Sequence, residues 1–212
     1  FSNSCREVAQ GGRRGALMLS ISVHHPQVMD FIRIKRDLTR VTGANISVRV
    51  TDEFMNAVKS GDFCQLRWPV DSSKPEISLE VDAREIWNEL IEGAHASAEP
   101  GVLFWDTATK MTPSDVYTDE GFGSVSTNPC GEIILSPYDS CRLMLINLTS
   151  FVNNAWDTSA SFDYGHFRII ARKAQRLMDD MIDLEIEQVD KIIAKIDKDP
   201  EPDEVKYYER NL

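Results

Sequence analysis

Gly43–Gly61, GANISVRVTDEFMNAVKSG, changes its period halfway along. The first half alternates β-branched with polar residues, as a strand does. In the second, Thr51-Asp52 cap a predicted helix over EFMNAVKS, and Gly61 supplies its stop. The pattern spreads outward from there. Upstream, Leu17–Val23 (LMLSISV) is a short apolar run of strand character that His24-His25-Pro26 ends. PQVMDFIRIKRD then places Val28, Phe31, Ile32 and Ile34 at helical spacing, with Pro26 in the first turn. Downstream, residues 63–81 look like a hairpin or irregular excursion. Asp82 opens a helix with Ile86, Leu90 and Ile91 on one face, Pro100-Gly101 break it, and VLFWD (102–106) reads as a buried strand. Strands alternating with helices mark an α/β fold with a largely parallel sheet.

The rest of the chain is less regular. A polar segment, residues 107–125, leads to Ser126–Ile133, STNPCGEI. Cys141–Leu148, CRLMLINL, reads as another strand. Residues 163–198 read as a long helix with Phe167, Ile170, Ala171, Ala174, Leu177, Met178 and Met181 as its inner stripe, and DPEPDE separates it from a last short helix.

Composition narrows the function classes. With 212 residues, 42% hydrophobic and 27% charged, the chain is sized and composed for one globular domain. No apolar run is long enough to span a membrane. Four cysteines without a C-x-x-C pair suit a reducing, cytoplasmic setting rather than a disulfide scaffold or a zinc site, so no metal is expected. A net charge of −11 disfavours direct nucleic-acid binding. The last 34 residues carry twelve acids and five bases, most of that charge, whereas REVAQGGRRG near the start is basic.

STNPCGEI concentrates chemistry. Asn128, Cys130 and Glu132 stand at alternate positions, which would share one side of an extended backbone. Pro129 and Gly131 instead favour a loop tip that displays the cysteine. A neighbouring carboxylate raises a thiol pKa, which works against a thiolate nucleophile. It suits a neutral thiol used for hydrogen-atom chemistry, with the Glu as a base for a substrate hydroxyl. A thiol hydrolase would need a histidine to activate Cys130, and no histidine here has a recognisable partner motif.

NPCGEI resembles the finger loop of the ribonucleotide reductase catalytic subunit. The resemblance runs along the chain through QGGRRGA, HPQVMDFI, NISVRVTDEFMNAV, EPGVLFWD and CRLMLINLTSFV. It implies part of a ten-stranded α/β barrel, two parallel five-stranded halves with the finger loop through the centre. One partial catalytic barrel domain would then occupy residues 1–212: an effector loop about 10–16, the finger loop about 126–133 and an acidic helical segment about 163–212. It makes Cys130 the thiyl radical that removes the ribose 3′ hydrogen, Glu132 the base for the 3′-hydroxyl, and Asn128 the residue that binds substrate and positions Glu132. It makes Cys141 one member of the pair that reduces the 2′ carbon, and Gln10, Gly11, Gly12, Arg13, Arg14 and Gly15 a loop between effector and substrate.

The resemblance further implies a ribonucleotide substrate, dNTP or ATP effectors, a thioredoxin-type dithiol reductant, and deoxyribonucleotide supply for DNA synthesis and repair. It admits a homodimer of the full-length protein. NPCGE and the acidic helix look more like the adenosylcobalamin-dependent branch than the branch served by a radical-generating metal small subunit. The chain reads as an internal piece, inactive alone: the second reducing cysteine belongs well upstream of the glycine-rich loop, and Cys5, only five residues before Gln10, is declined for that role. A noncatalytic nucleotide-sensing or split-gene relative is the alternative; it would lose Asn, Cys or Glu from the finger loop, and all three are present. Cys64 and the histidines read as structural, and Trp68, Trp87, Trp105 and Trp156 as packing residues.

Overall fold

The structure, a computed structural model, describes residues 2–7 and 15–198. The chain forms two units, residues 1–141 and 142–212. Of the loop assigned to effector sensing, Gln10, Gly11, Gly12, Arg13 and Arg14 lie outside the described residues. Gly15 is described and half-buried. The short helix expected after residue 204 also lies outside them.

In the first unit a short helix α1 (Ser2–Glu7) precedes the strand-helix pattern. Strands β1 (Met18–Ser22) and β2 (Asn45–Val50) pair in parallel, joined by helix α2 (Val28–Arg33). Helix α3 (Asp52–Ser60) begins where the sequence indicates, with Thr51 Oγ1 accepting the Phe54 N–H at 3.1 Å. It ends at Gly61 in the left-handed conformation. A hairpin of β3 (Phe63–Trp68) and β4 (Ile77–Asp82) follows. Helix α4 (Ala83–Ser97) starts on Asp82, whose side chain accepts the Arg84 N–H, and leads to β5 (Gly101–Phe104).

The sheet order is β1-β2-β5, all parallel, so β2 is central and the other two are edges among the described residues. Three strands cannot close on themselves, and the described residues form no closed barrel. The strand expected over 102–106 is shorter and less buried than expected. It ends at Phe104, more than half exposed, and Trp105 starts helix α5 (Trp105–Met111).

The register sorts the two faces of the sheet. Ile46, Val48 and Val50 of β2 are almost fully buried, and Val48 and Val50 pack in one cluster with Val28, Ile32, Phe54, Ile86 and Leu90 of the helices. At roughly 1.5–3 kcal/mol for each such side chain removed from water, this face holds the unit together. The intervening residues Asn45, Ser47 and Arg49 face the other way, level with Met18, Ser20 and Ser22 of β1 and with Gly101 and Leu103 of β5. That face is mostly small and polar.

His24 is buried and ties the elements together at the strand ends. One ring nitrogen bonds the Gln65 carbonyl at 3.0 Å and the other the Thr51 hydroxyl at 2.7 Å. Cys64 is buried beside it, Sγ 3.5 Å from Nδ1.

Residues 141–147, where the second unit begins, form no strand, contrary to the reading of CRLMLINL. Apolar composition alone does not make a strand without a neighbour to pair with, and none among the described residues pairs with it. A 3-10 turn at Leu148–Phe151 leads into a minimal hairpin of β8 (Val152–Asn153) and β9 (Ser161–Phe162). Trp156, expected to pack, lies fully exposed in its turn. Helix α6 (Tyr164–Ile196) matches the long helix expected, starting on an Asp163 cap whose side chain accepts the His166 N–H at 2.9 Å. Phe151 packs edge-on to the rings of His166 and Phe167 at its start. Of the expected inner stripe, Phe167, Ile170, Ala171, Ala174 and Met178 are half-buried, whereas Leu177 and Met181 are exposed.

Candidate active site

STNPCGEI is a hairpin. Strands β6 (Ser126–Thr127) and β7 (Ile134–Leu135) pair antiparallel, extended by the Val125 N–H on the Leu135 carbonyl. Asn128 closes the loop against Ile133, and the Gly131 N–H returns to the Asn128 carbonyl at 3.0 Å. That turn needs Gly131 at φ +88°, a region closed to most side chains. The backbone is therefore folded rather than extended, and the three side chains of the motif do not share one side. Asn128 is buried, 5% exposed, with its side-chain oxygen accepting the Ile133 N–H. Cys130 and Glu132 are exposed, with Cys130 at the tip between Pro129 and Gly131.

The hairpin lies on the polar face of the sheet. Ser20 Oγ is 3.2 Å from Ser126 Oγ, Arg49 donates from Nη1 to the Val125 carbonyl at 3.1 Å, and Asn45 donates to the Pro129 carbonyl at 2.6 Å. The sequence did not mark these three residues as part of the site; Asn45 stands out there only in an Asn45-Ile46-Ser47 sequon read as accidental. Their signal was the polar half of each strand's alternation, read there only as a sign of strand.

Arg49 has an unusual setting. Its guanidinium carbon sits 4.9 Å from the centre of the Trp105 ring, and its Nε is buried without a hydrogen-bond partner. Burial pushes its pKa down, and the Asp71 carboxylate opposes that. Cys141, assigned a reductant role, is an exposed free thiol outside the hairpin. Cys64 differs, since burial and the Glu53 charge push its thiol up to about 11, which suits a packed residue rather than a reactive one. Cys5 is a half-buried free thiol.

Parallel strands backed by helices on one face, with a hairpin on the other that exposes Cys130 at its tip, define an α/β domain. A family model described as "Ribonucleotide reductase, barrel domain" matches residues 1–199. The chain is 36% identical over 191 residues to a vitamin B12-dependent ribonucleoside-diphosphate reductase of Thermoplasma acidophilum, covering 87% of this chain and 23% of that protein. It is 33% identical over 187 residues to a protein of the same name from Mycobacterium tuberculosis strain H37Rv, covering 87% and 25%. A putative adenosylcobalamin-dependent ribonucleoside-triphosphate reductase of Mycobacterium phage D29 is 37% identical over 153 residues, covering 71% and 19%. The chain belongs to the ribonucleotide reductase barrel-domain family. It spans about a fifth to a quarter of the length of these relatives. No helix among the described residues is long and apolar enough to cross a membrane.

Proposed function

We propose that this chain is the part of an adenosylcobalamin-dependent ribonucleotide reductase that carries its radical thiol, and that the whole enzyme converts ribonucleotides to 2′-deoxyribonucleotides for DNA synthesis and repair. The observation that carries this reading is Cys130 exposed at the tip of a hairpin pinned to a parallel sheet, with Asn128 and Glu132 in the same six-residue loop. The names of the relatives support the cobalamin branch.

Each residue then has one task. The Cys130 thiyl takes the hydrogen atom from the ribose 3′ carbon while Glu132 takes the 3′-hydroxyl proton. The 2′-hydroxyl leaves as water after gaining a proton. Two electrons and two protons come from a dithiol made of Cys141 and a second cysteine outside this chain, which becomes a disulfide. Cys130 returns its hydrogen atom to the 3′ carbon and Glu132 its proton to the 3′ oxygen, so the net change is ribonucleotide plus dithiol to deoxyribonucleotide, disulfide and water. Asn128 holds the limb that carries Glu132.

Adenosylcobalamin, when bound, supplies the radical that converts the Cys130 thiol to its thiyl form. The fit rests on exposure: the Cys130 side chain at the tip is open to a group approaching from outside the segment. None of the described residues is assigned to hold the corrin. A thioredoxin-type reductant would regenerate the dithiol, dNTP or ATP effectors would act through Gln10–Gly15, and a cytoplasmic setting keeps the thiols reduced. In a full-length reductase carrying this segment, Cys130→Ser should abolish tritium release from 3′-tritiated substrate while nucleotide still binds. Wild-type release from the variant would sink the assignment.

A further inference from the structure

We propose that Asn45, Arg49 and Ser20 are positioning residues for the Cys130 thiol, forming a cradle that fixes where the hairpin lies on the sheet. This rests on the reading of the hairpin as the reductase finger loop. All three side chains rise from the same polar face, and they meet the loop at Val125, Ser126 and Pro129. Two of the contacts end on backbone carbonyls, so they locate the chain itself rather than one particular side chain.

Asn45 is the closest grip. The carbonyl it bonds belongs to the Pro129–Cys130 peptide, so its 2.6 Å contact holds the peptide plane that carries the thiol residue. Arg49 braces the other end. A half-buried cation whose Nε lacks a partner is costly to keep, and besides the Asp71 charge it meets the Val125 carbonyl and the Trp105 ring. Trp105 begins α5 immediately after β5, so the guanidinium links the loop to the far strand of the sheet. Hydrogen-atom transfer needs its atoms placed closely, and a shift of about 1 Å costs on the order of 10²-fold in rate. The hairpin's own strands are only two residues each, so side-chain contacts from the sheet carry weight in placing it.

The test uses Asn45→Asp, Asn45→Ala, Arg49→Ala and Arg49→Lys in a full-length reductase carrying this segment. Asn45 is exposed, so its variants leave the core intact, and Asp replaces the donor with a group that repels the carbonyl. The expected result is a fall in kcat on the order of 10- to 10²-fold with nucleotide affinity unchanged, together with faster amide hydrogen exchange at Gly131 and Ile133. Arg49→Lys should recover part of what Arg49→Ala loses. Unchanged kcat and exchange in the Asn45 variants would overturn the cradle, as would a loss of kcat matched by an equal loss of nucleotide affinity. If Arg49→Ala fails to fold, the Asn45 pair decides alone. Exchange does not depend on turnover, so the two readings fail differently. If the reductase reading is wrong, the wild type is inactive yet exchange still accelerates in the variants; if only the cradle is wrong, the wild type is active and exchange is unmoved.

Discussion

Asn128 meets Ile133 twice, donating its own N–H to the Ile133 carbonyl at 3.0 Å and accepting the Ile133 N–H on its side-chain oxygen at 3.0 Å. The pair clamps the four residues between them, Cys130 and Glu132 included. Asn128→Ala leaves the Ile133 N–H without that acceptor, a cost of about 1–3 kcal/mol. The expected outcome is a matching loss of amide protection at Ile133 and a fall in turnover. Unchanged protection would show that the side chain does not hold the loop.

Gly131 tests the turn itself. A Cβ there would meet only the Leu103 side chain at 3.8 Å, so Gly131→Ala is opposed by backbone strain and not by a clash. The strain is roughly 1–2 kcal/mol, and it falls on the residue after the thiol. Gly121, at φ +92° with open space around it, carries the same strain away from the tip. Gly121→Ala should therefore cost similar stability and leave turnover intact, whereas Gly131→Ala should lower both. Equal turnover in the two variants would show that the turn does not place Cys130.

Cys141→Ser separates initiation from reduction. Tritium release from 3′-labelled substrate should persist while multi-turnover reduction driven by an added dithiol stops. Undiminished dithiol-driven turnover would remove Cys141 from the reducing pair.

Two buried groups set a pH window for stability. Burial and the Glu53 charge raise the Cys64 pKa from 9.0 to about 11, so the folded state keeps a proton that the unfolded chain has lost at alkaline pH. That contribution is complete below about pH 9 and disappears as pH rises toward 11, worth roughly 2–3 kcal/mol. Burial lowers the His24 pKa, outweighing the Gln65 carbonyl, so the folded state resists protonation. Its contribution is complete above the unfolded value of about 6.5 and is lost as pH falls below it. Thermal midpoints of a full-length reductase carrying this segment should fall on both sides. Cys64→Ala should flatten the alkaline side alone, and an unaltered alkaline fall in that variant would refute the assignment.

Local signals carried much of this fold into the sequence. Thr51, Gly61 and Asp82 act within a few residues of themselves, and the helix ends they mark stand where they were read. Long-range pairing was less legible. CRLMLINL has a strand's composition but no strand beside it among the described residues, and the closing of a barrel depends on strands elsewhere. The site divides the same way. Pro129 and Gly131 announced a loop tip, and Cys130 is there. Only coordinates could show that Asn128 turns inward, away from Cys130 and Glu132, or that Asn45, more than 80 residues earlier, reaches the peptide beside the thiol.

The alternation along β2 has a consequence for how this protein can vary. Ile46, Val48 and Val50 serve the core; Asn45, Ser47 and Arg49 lie on the face that carries the hairpin. Neighbours in sequence thus answer to different demands, and a change at one position leaves the adjacent demand untouched. Six consecutive residues divide between two surfaces, three turned to the core and three to the side where the hairpin lies.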